Sequence, residues 1–396
     1  MIDTGDTKNG NKRKLAFVVN SAAAFVSHRL PIAIAAMEQG YTVQLFTGQA
    51  GSTRLDSDAL WTLKNIGITH TRVGFRSDGI NPLVESWGLL QLTIALWRFK
   101  PDAVHCSSPK GIIYGGLAAR AVRATALILA ISGRGYAFTS ADSQRLRRAF
   151  AAMAYTSMAR LVFGHRNMRV IVQNQDDRTD LLTSRFARES QIQLIPGSGV
   201  HLAPLLEADI DKKSPMVLLP ARMLVDKGVL DFVDAVKQIK DRAPEWTFVL
   251  AGAADHANPT SIPEKTIESW EEKGLVKWLG HVTNMAPLFA QASIVCLPSY
   301  REGMPKALLE AAAAGCAVIT TDAIGCREAV LPGESGDLVP VRNSHALAQA
   351  LLLLINDDAR RRRYAVAGRN MAIAKFDVTS VVSTILSIYD EMLQKG

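Results

Sequence analysis

The chain has 396 residues, a formal net charge of +8, 48% apolar and 21% charged residues, which suits a globular enzyme too long for one core. No apolar run reaches the ~18 to 20 residues of a membrane span, the four cysteines form no Cys-x-x-Cys pair, and no nucleic-acid-binding signature accompanies the basic charge. Spanning, disulfide-scaffold and nucleic-acid classes are set aside, which leaves the charge to a phosphorylated substrate, an anionic membrane face or a basic surface without a partner.

Residues 1–13 are polar and lack an apolar signal core, so they read as a lead-in. Short apolar, β-rich runs then alternate with helical stretches, the pattern of parallel α/β units. In the first half the predicted strands are LAFVV (15–19), TVQLFT (42–47), DAVHCS (102–107), ALILAIS (126–132), RVIVQ (169–173) and IQLIP (192–196). A polar, Pro-bounded linker follows at 201–215. The second half repeats the pattern with MVLLPA (216–221), TFVLAG (247–252), VKWLG (276–280), SIVCLP (293–298) and AVITTD (317–322). None of these runs alternates strictly, as expected of strands buried on both faces. After residue 342 only helices are expected. The expected fold class is α/β, with two doubly wound, Rossmann-like domains facing a cleft. They span 14–200 and 216–375, and a final helix at 376–396 packs back on the first. Ligands in such sheets sit at the carboxyl ends of strands.

In the second half, SIVCLPS ends at Ser299, and a loop from Tyr300 leads to a helix starting near Pro305, whose missing N–H costs nothing in a first turn. Helix formers run from Lys306 to Ala314, and Gly315 stops them. Glu302 therefore lies in the loop and Glu310 about one and a half turns into the helix. Between them, helix-start amides and Lys306 suit an anion. Two carboxylates for hydroxyls around a positive patch fit a sugar, a diphosphate and a ribose. The alternative is two solvated charges on an ordinary helix. LLPARMLVDKG places Arg222 and Lys227 between another strand and a helix starting near Gly228. Cations there suit a diphosphate leaving group that gains charge as its bond breaks, Arg222 as a fork and Lys227 as a point charge. The alternative is an ordinary basic loop.

In the first half, VVNSAAAFVSHRLPIAIAAM reads as strand, small-residue turn and helix, with Ser27, His28 and Arg29 near the helix start. His28 either meets an anion there or packs locally. His105 ends a strand ahead of Ser107, Ser108 and Lys110, where it contacts a ligand or supports the cleft. Ser132, Gly133 and Arg134 follow another strand; Asn174, Gly197 and Gly199 follow others near the domain boundary. The Asp-x-Asp spellings, Asp56/Asp58 and Asp209/Asp211, lie away from strand ends, so no metal is expected. The stretch 143–169, with Arg145, Arg147, Arg148, Arg160 and Arg166, is helical in pattern. It either lies on an anionic leaflet or covers the first domain.

ARMLVDKG, EGMPKALLEAAAAG and GCREAVLPGESGDLVP together resemble the carboxyl half of family-4 retaining glycosyltransferases of GT-B architecture. The mark of that family is Glu-x7-Glu with an Arg and a Lys after the first strand of the second domain. FVSHRLPIAIAAMEQGYTVQLFT, ISGRGYAFTS, VIVQNQDDRTDLL and LIPGSGV resemble its bacterial branch that builds capsule, O-antigen and lipid-linked glycans. The resemblance implies that Arg222 and Lys227 hold the donor diphosphate and Glu302 the donor-sugar hydroxyls. The backbone of Gly303, Met304, Pro305 and Lys306 assists, Glu310 grips the ribose, and His281 and Val282 border the base. On the acceptor side it implies Ser27, His28, His105, Ser132, Gly133 and Asn174. Two departures stand out: Ala22-Ala23-Ala24 replaces a glycine pair, and no histidine occurs in ISGRGYAFTS. The implied reaction is a retaining, metal-independent and cofactor-free transfer of a hexosyl or N-acetylhexosaminyl group. It runs from a nucleotide-sugar donor, a UDP-sugar, to a polyprenyl-diphosphate-linked saccharide. The implied place is the cytoplasm, at the anionic inner face of the plasma membrane, with no nucleic acid as partner. The rivals are a nucleotide-sugar epimerase of similar fold and a non-catalytic binding relative, whose motif residues should have decayed.

Overall fold

The computed structural model describes residues 12–49, 53–76, 81–132, 155–255 and 258–394. The chain opens with β1 (Lys14–Val19), α1 (Ala22–His28), α2 (Leu30–Glu38), β2 (Thr42–Gln49), α3 (Thr53–Ile66) and β3 (Thr69–Arg76). It continues through α4 (Pro82–Phe99), β4 (Ala103–Ser107), α5 (Pro109–Ala121) and β5 (Ala126–Ile131). Residues 155–163 are helical, α6. Then come β6 (Met168–Val172), α7 (Gln175–Thr183), β7 (Ile192–Leu194) and α8 (Ala203–Leu206). The second half holds β8 (Ser214–Pro220), α9 (Val229–Ile239), β9 (Thr247–Ala251), α10 (Glu264–Glu272), β10 (Lys277–Trp278) and α11 (Ala286–Gln291). It ends with β11 (Ala292–Leu297), α12 (Lys306–Ala313), β12 (Ala317–Thr321), β13 (Gly336–Val339), α13 (Ser344–Asn356), α14 (Asp358–Lys375) and α15 (Val378–Gln394).

The strands form a seven-stranded sheet, β3-β2-β1-β4-β5-β6-β7, and a six-stranded sheet, β10-β9-β8-β11-β12-β13. The α/β class and the twofold doubly wound plan are thus present. Both sheets are parallel along β1–β2, β1–β4, β8–β9 and β8–β11. Apolar runs explain this: in β8, Val217 and Leu219 face a core with Phe232 and Leu351, while Leu218 faces another with Leu308 and Leu309. A strand with apolar residues on both faces needs helices on both sides, which parallel crossovers supply.

Chain contacts divide the molecule into two compact units. The first holds residues up to Ala130, the stretch ending at Arg169 and the chain end from Ile385; the second holds Val170–Thr384. In the first unit the last turns of α15 are tied by Tyr389 Oη to His105 Nδ1 at 2.5 Å, by Asp390 to Arg13 at 2.9 Å and by the Met392 carbonyl to Asn167 at 2.8 Å. In the second, the predicted linker is packed: Leu205 and Ala208 are in a core, and Arg369 donates to the Ala208 carbonyl at 2.6 Å.

Two strands escape the sequence reading, β3 and β13, both at sheet edges. A small-residue turn at Ala22–Ala24 is corrected to helix: Ser21 caps α1, its Oγ accepting from Ala24 N at 3.2 Å. Ser27 and His28 therefore close α1 rather than open a helix, and both are exposed. All four cysteines are free thiols and buried.

Candidate active site

In the second sheet β8 and β11 are neighbours from which the chain winds outward in both directions. Loops at the carboxyl ends of such a strand pair are where ligands bind. The loop after β8 carries Arg222 and Lys227; the loop after β11 carries Glu302.

Backbone contacts fix these two loops against each other, and the second of them against the loop after β12. Tyr300 N donates to the Asp226 carbonyl at 2.9 Å, and Glu302 N to the Ile324 carbonyl at 2.9 Å. Gly228 caps α9 with φ +71°, and a Cβ there would lie 2.1 Å from the Pro298 carbonyl oxygen. Gly325 has φ +79°, and its Cβ would lie 2.2 Å from the Glu302 carbonyl oxygen. Only glycine allows both the left-handed backbone and the close approach.

The side chains complete the arrangement. Lys227 Nζ reaches Glu302 Oε1 at 2.5 Å, joining the two strand ends. Arg222 Nη1 is 2.5 Å from Asp255 Oδ2 and remains largely exposed. Lys306 Nζ is 3.5 Å from Glu310 Oε1 within α12. Pro305 is the residue before the first helical one, and no side chain caps that end. Burial raises the Glu310 carboxyl above its ordinary value, with Lys306 opposing the shift. Tyr300 Oη donates to Asp231 at 2.7 Å, and its ring lies 4.7 Å from the Arg342 guanidinium. Burial first, then Asp231, pushes the Tyr300 hydroxyl up to about 12.

A supporting layer lies behind. Asn174 caps α7 and donates from Nδ2 to the Gly303 carbonyl at 2.9 Å; Arg301 pairs with Asp177 at 2.8 Å. Met304 and Leu309 close on Gly197. Val282 packs on the core of this unit, and His281 beside it is exposed.

The structure thus joins Lys227 to Glu302 and sets Gly303, Met304, Pro305, Lys306 and Glu310 in one continuous segment. Arg222 turns instead to Asp255, a residue the motif reading passed over although it follows the end of β9. Tyr300 and Asp231 were also missed; the aromatic ring two residues before Glu302 was the available signal. Asn174, expected to face an acceptor, is corrected to a buried helix cap. His105 is corrected to a core residue: it is fully buried in mid-sheet, its ring 5.1 Å from Phe17 and hydrogen-bonded with Tyr389. Ser132 is exposed just past β5, and Gly133 lies outside the described residues, as do 143–154. The Asp-x-Asp residues take structural roles, Asp56 accepting from Ala23 N and Asp209 from Asp211 N.

Comparison with known proteins completes the description. Residues 29–197 match the family model described as "Glycosyl transferase 4-like domain", and residues 214–357 that described as "Glycosyl transferases group 1". Among curated proteins, the chain is 25% identical over 395 residues to the N,N'-diacetylbacillosaminyl-diphospho-undecaprenol alpha-1,3-N-acetylgalactosaminyltransferase of Campylobacter jejuni, covering 96% of this chain and 99% of that one. It is 22% identical over 320 residues to the capsular polysaccharide biosynthesis glycosyltransferase CapM of Staphylococcus aureus, covering 78% and 81%. Among solved structures, Anabaena HepE in complex with UDP superposes with a TM-score of 0.72 at 18% identity, over 96% of this chain and 100% of that one.

Proposed function

The chain belongs to the group 1 glycosyltransferases, with the GT-B fold, and we propose that it moves a sugar from a UDP-sugar to a hydroxyl of a polyprenyl-diphosphate-linked saccharide, with retention at the anomeric carbon. The observation that carries this reading is the Lys227–Glu302 pair, which spans the ends of β8 and β11 beside the start of α12. The donor diphosphate takes Lys227 and Arg222 from their carboxylate partners. Glu302, released, accepts from donor-sugar hydroxyls, and Glu310 accepts from the ribose. The Campylobacter relative's name, with its undecaprenol-linked substrate, supports the lipid-linked acceptor, and the UDP complex of HepE supports the nucleotide.

In this scheme the bond between the anomeric carbon and the diphosphate oxygen breaks, and its electron pair stays on the phosphate. Arg222 and Lys227 stabilise that charge in place of a metal ion. The acceptor oxygen bonds to the anomeric carbon from the same face, and its proton passes to the departing phosphate oxygen. Assembly of a bacterial surface glycan at the inner face of the plasma membrane is the setting this chemistry suits.

The test is incubation with a panel of UDP-sugars and a polyprenyl-diphosphate-linked saccharide, with product linkage read by NMR. Transfer with the donor's anomeric configuration is expected. An inverted product rejects retention; an isomerised donor without transfer rejects the whole scheme.

A further inference from the structure

The α4 helix carries apolar residues on two opposite sides, with Ser86, Gln91 and Thr93 interspersed. One side is covered by its own unit: Leu92 and Leu96 are buried, and Gly88 sits so tightly on β3 that a Cβ would meet Phe75 N at 2.4 Å. Glu85, its sole acid, also points inward, to Lys110 Nζ at 2.9 Å. The opposite side exposes Leu83 by 82%, Trp87 by 59%, Leu90 by 48%, Ile94 by 41% and Trp97 by 64%. These residues recur at steps of four and three, so they form one stripe along the helix. The stripe has no carboxylate, and its carboxyl-terminal end carries exposed Arg98 and Lys100.

A helix apolar on both sides belongs in a core or at a boundary with lipid. No helix among the described residues is long and apolar enough to cross a membrane, which leaves a helix lying along the interface. Trp87 and Trp97 stand about 15 Å apart along the axis, with Leu90 and Ile94 between them and Leu83 beyond Trp87, and indoles favour the headgroup level. Two terminal cations and no anion complement a negative surface.

We propose that the outward face of α4 seats the protein on an anionic phospholipid surface, with Trp87 and Trp97 as its interfacial anchors and Arg98 and Lys100 engaging headgroup phosphates. The inference deepens the proposed function and rests on its lipid-linked acceptor, which a bilayer must present.

The experiment is flotation of the full chain on vesicles of phosphatidylglycerol with phosphatidylethanolamine, and on phosphatidylcholine alone. The wild type is expected to float on the anionic vesicles and far less on the neutral ones. Trp87→Ser with Trp97→Ser should cut the floated fraction about tenfold, with an unchanged melting temperature because both side chains are exposed. Trp61→Ser is the control. Its exposed indole lies on α3, and α3 packs with α1 while α4 packs with α5, so the two helices cover opposite sheet faces. This variant should float as the wild type does. UDP binding by calorimetry, measured on every variant, separates the two readings. Absent flotation with intact UDP binding overturns the α4 seat alone; absent UDP binding with intact flotation overturns the donor site alone. Equal flotation of the double variant and wild type overturns the proposal. So does a concentration-dependent dimer that the double substitution abolishes while wild type fails to float, since the stripe is then a protein interface.

Discussion

The two units place their polar groups differently. In the second, Arg222, Lys227, Glu302 and Glu310 stand on loops or a helix start beyond strand ends, paired with neighbours and reachable from solvent. In the first, Arg29, His105 and Tyr389 are sealed in the interior. Burial lowers the Arg29 guanidinium to about 10, drops His105 well below its usual 6.5 and raises the Tyr389 hydroxyl. Arg29 Nε and His105 Nε2 lack a hydrogen-bond partner among the described residues. The same doubly wound plan therefore serves two ends. Charges on loops exchange partners at little cost to folding, whereas buried polar groups tie the fold to their protonation state.

The sharpest break would come from Arg222. Arg222→Ala should lower turnover about 100-fold or more while the melting temperature, by scanning calorimetry, moves by no more than about 2 °C. Near-normal transfer would mean that the loop charges of the second unit do not face the chemistry. Next in size is Gly228→Ala. The added methyl meets the Pro298 carbonyl at 2.1 Å in a left-handed backbone, and a loss of about 2–4 kcal/mol in urea unfolding is expected. A wild-type midpoint would show that the loops after β8 and β11 are not held by close backbone approach.

Glu310→Gln should weaken UDP binding about tenfold, the loss of one charge-assisted hydrogen bond. The same change should raise the melting temperature of the nucleotide-free protein. The folded carboxyl has a raised pKa, so its ionised form opposes folding, and stability falls as pH rises from about 4.5 through the folded value. The advantage of the Gln variant at pH 7 should therefore shrink on acidification towards 4.5.

The smallest effect tests the first unit. Burial lowers His70, His105 and His165 there. Each stays neutral in the fold while the unfolded chain takes up a proton below about 6.5, so stability is lost as pH falls from that value towards the lowered folded ones. His105→Gln should reduce the slope of stability against pH by about one proton, ~1.4 kcal/mol per pH unit, without altering UDP binding.

The sequence displays every central strand but only two of the four edge strands, β7 and β10. LAFVV, ALILA, VLLPA and IVCLP are apolar because both faces are covered. THTRVGFR of β3 and GDLV of β13 each have one strand neighbour, so polar residues are tolerated there and no apolar run forms. The Glu302–Glu310 motif was legible for a related reason: both residues lie in one loop and helix, where spacing translates directly into position. Arg222 with Asp255, Asn174 with Gly303 and His105 with Tyr389 join residues 33, 129 and 284 positions apart, and no local pattern announces such a pairing. The exposed stripe of α4 was equally hidden, because an apolar helix looks the same in sequence whether one side or both are covered.

The sealed thiols have a practical corollary. Cys106, Cys296, Cys316 and Cys326 are all interior, and burial raises each away from its reactive thiolate form. Maleimide reagents should pass over the native chain, so a fluorophore or spin label introduced at a single engineered surface position would report from that point alone, with no background to subtract.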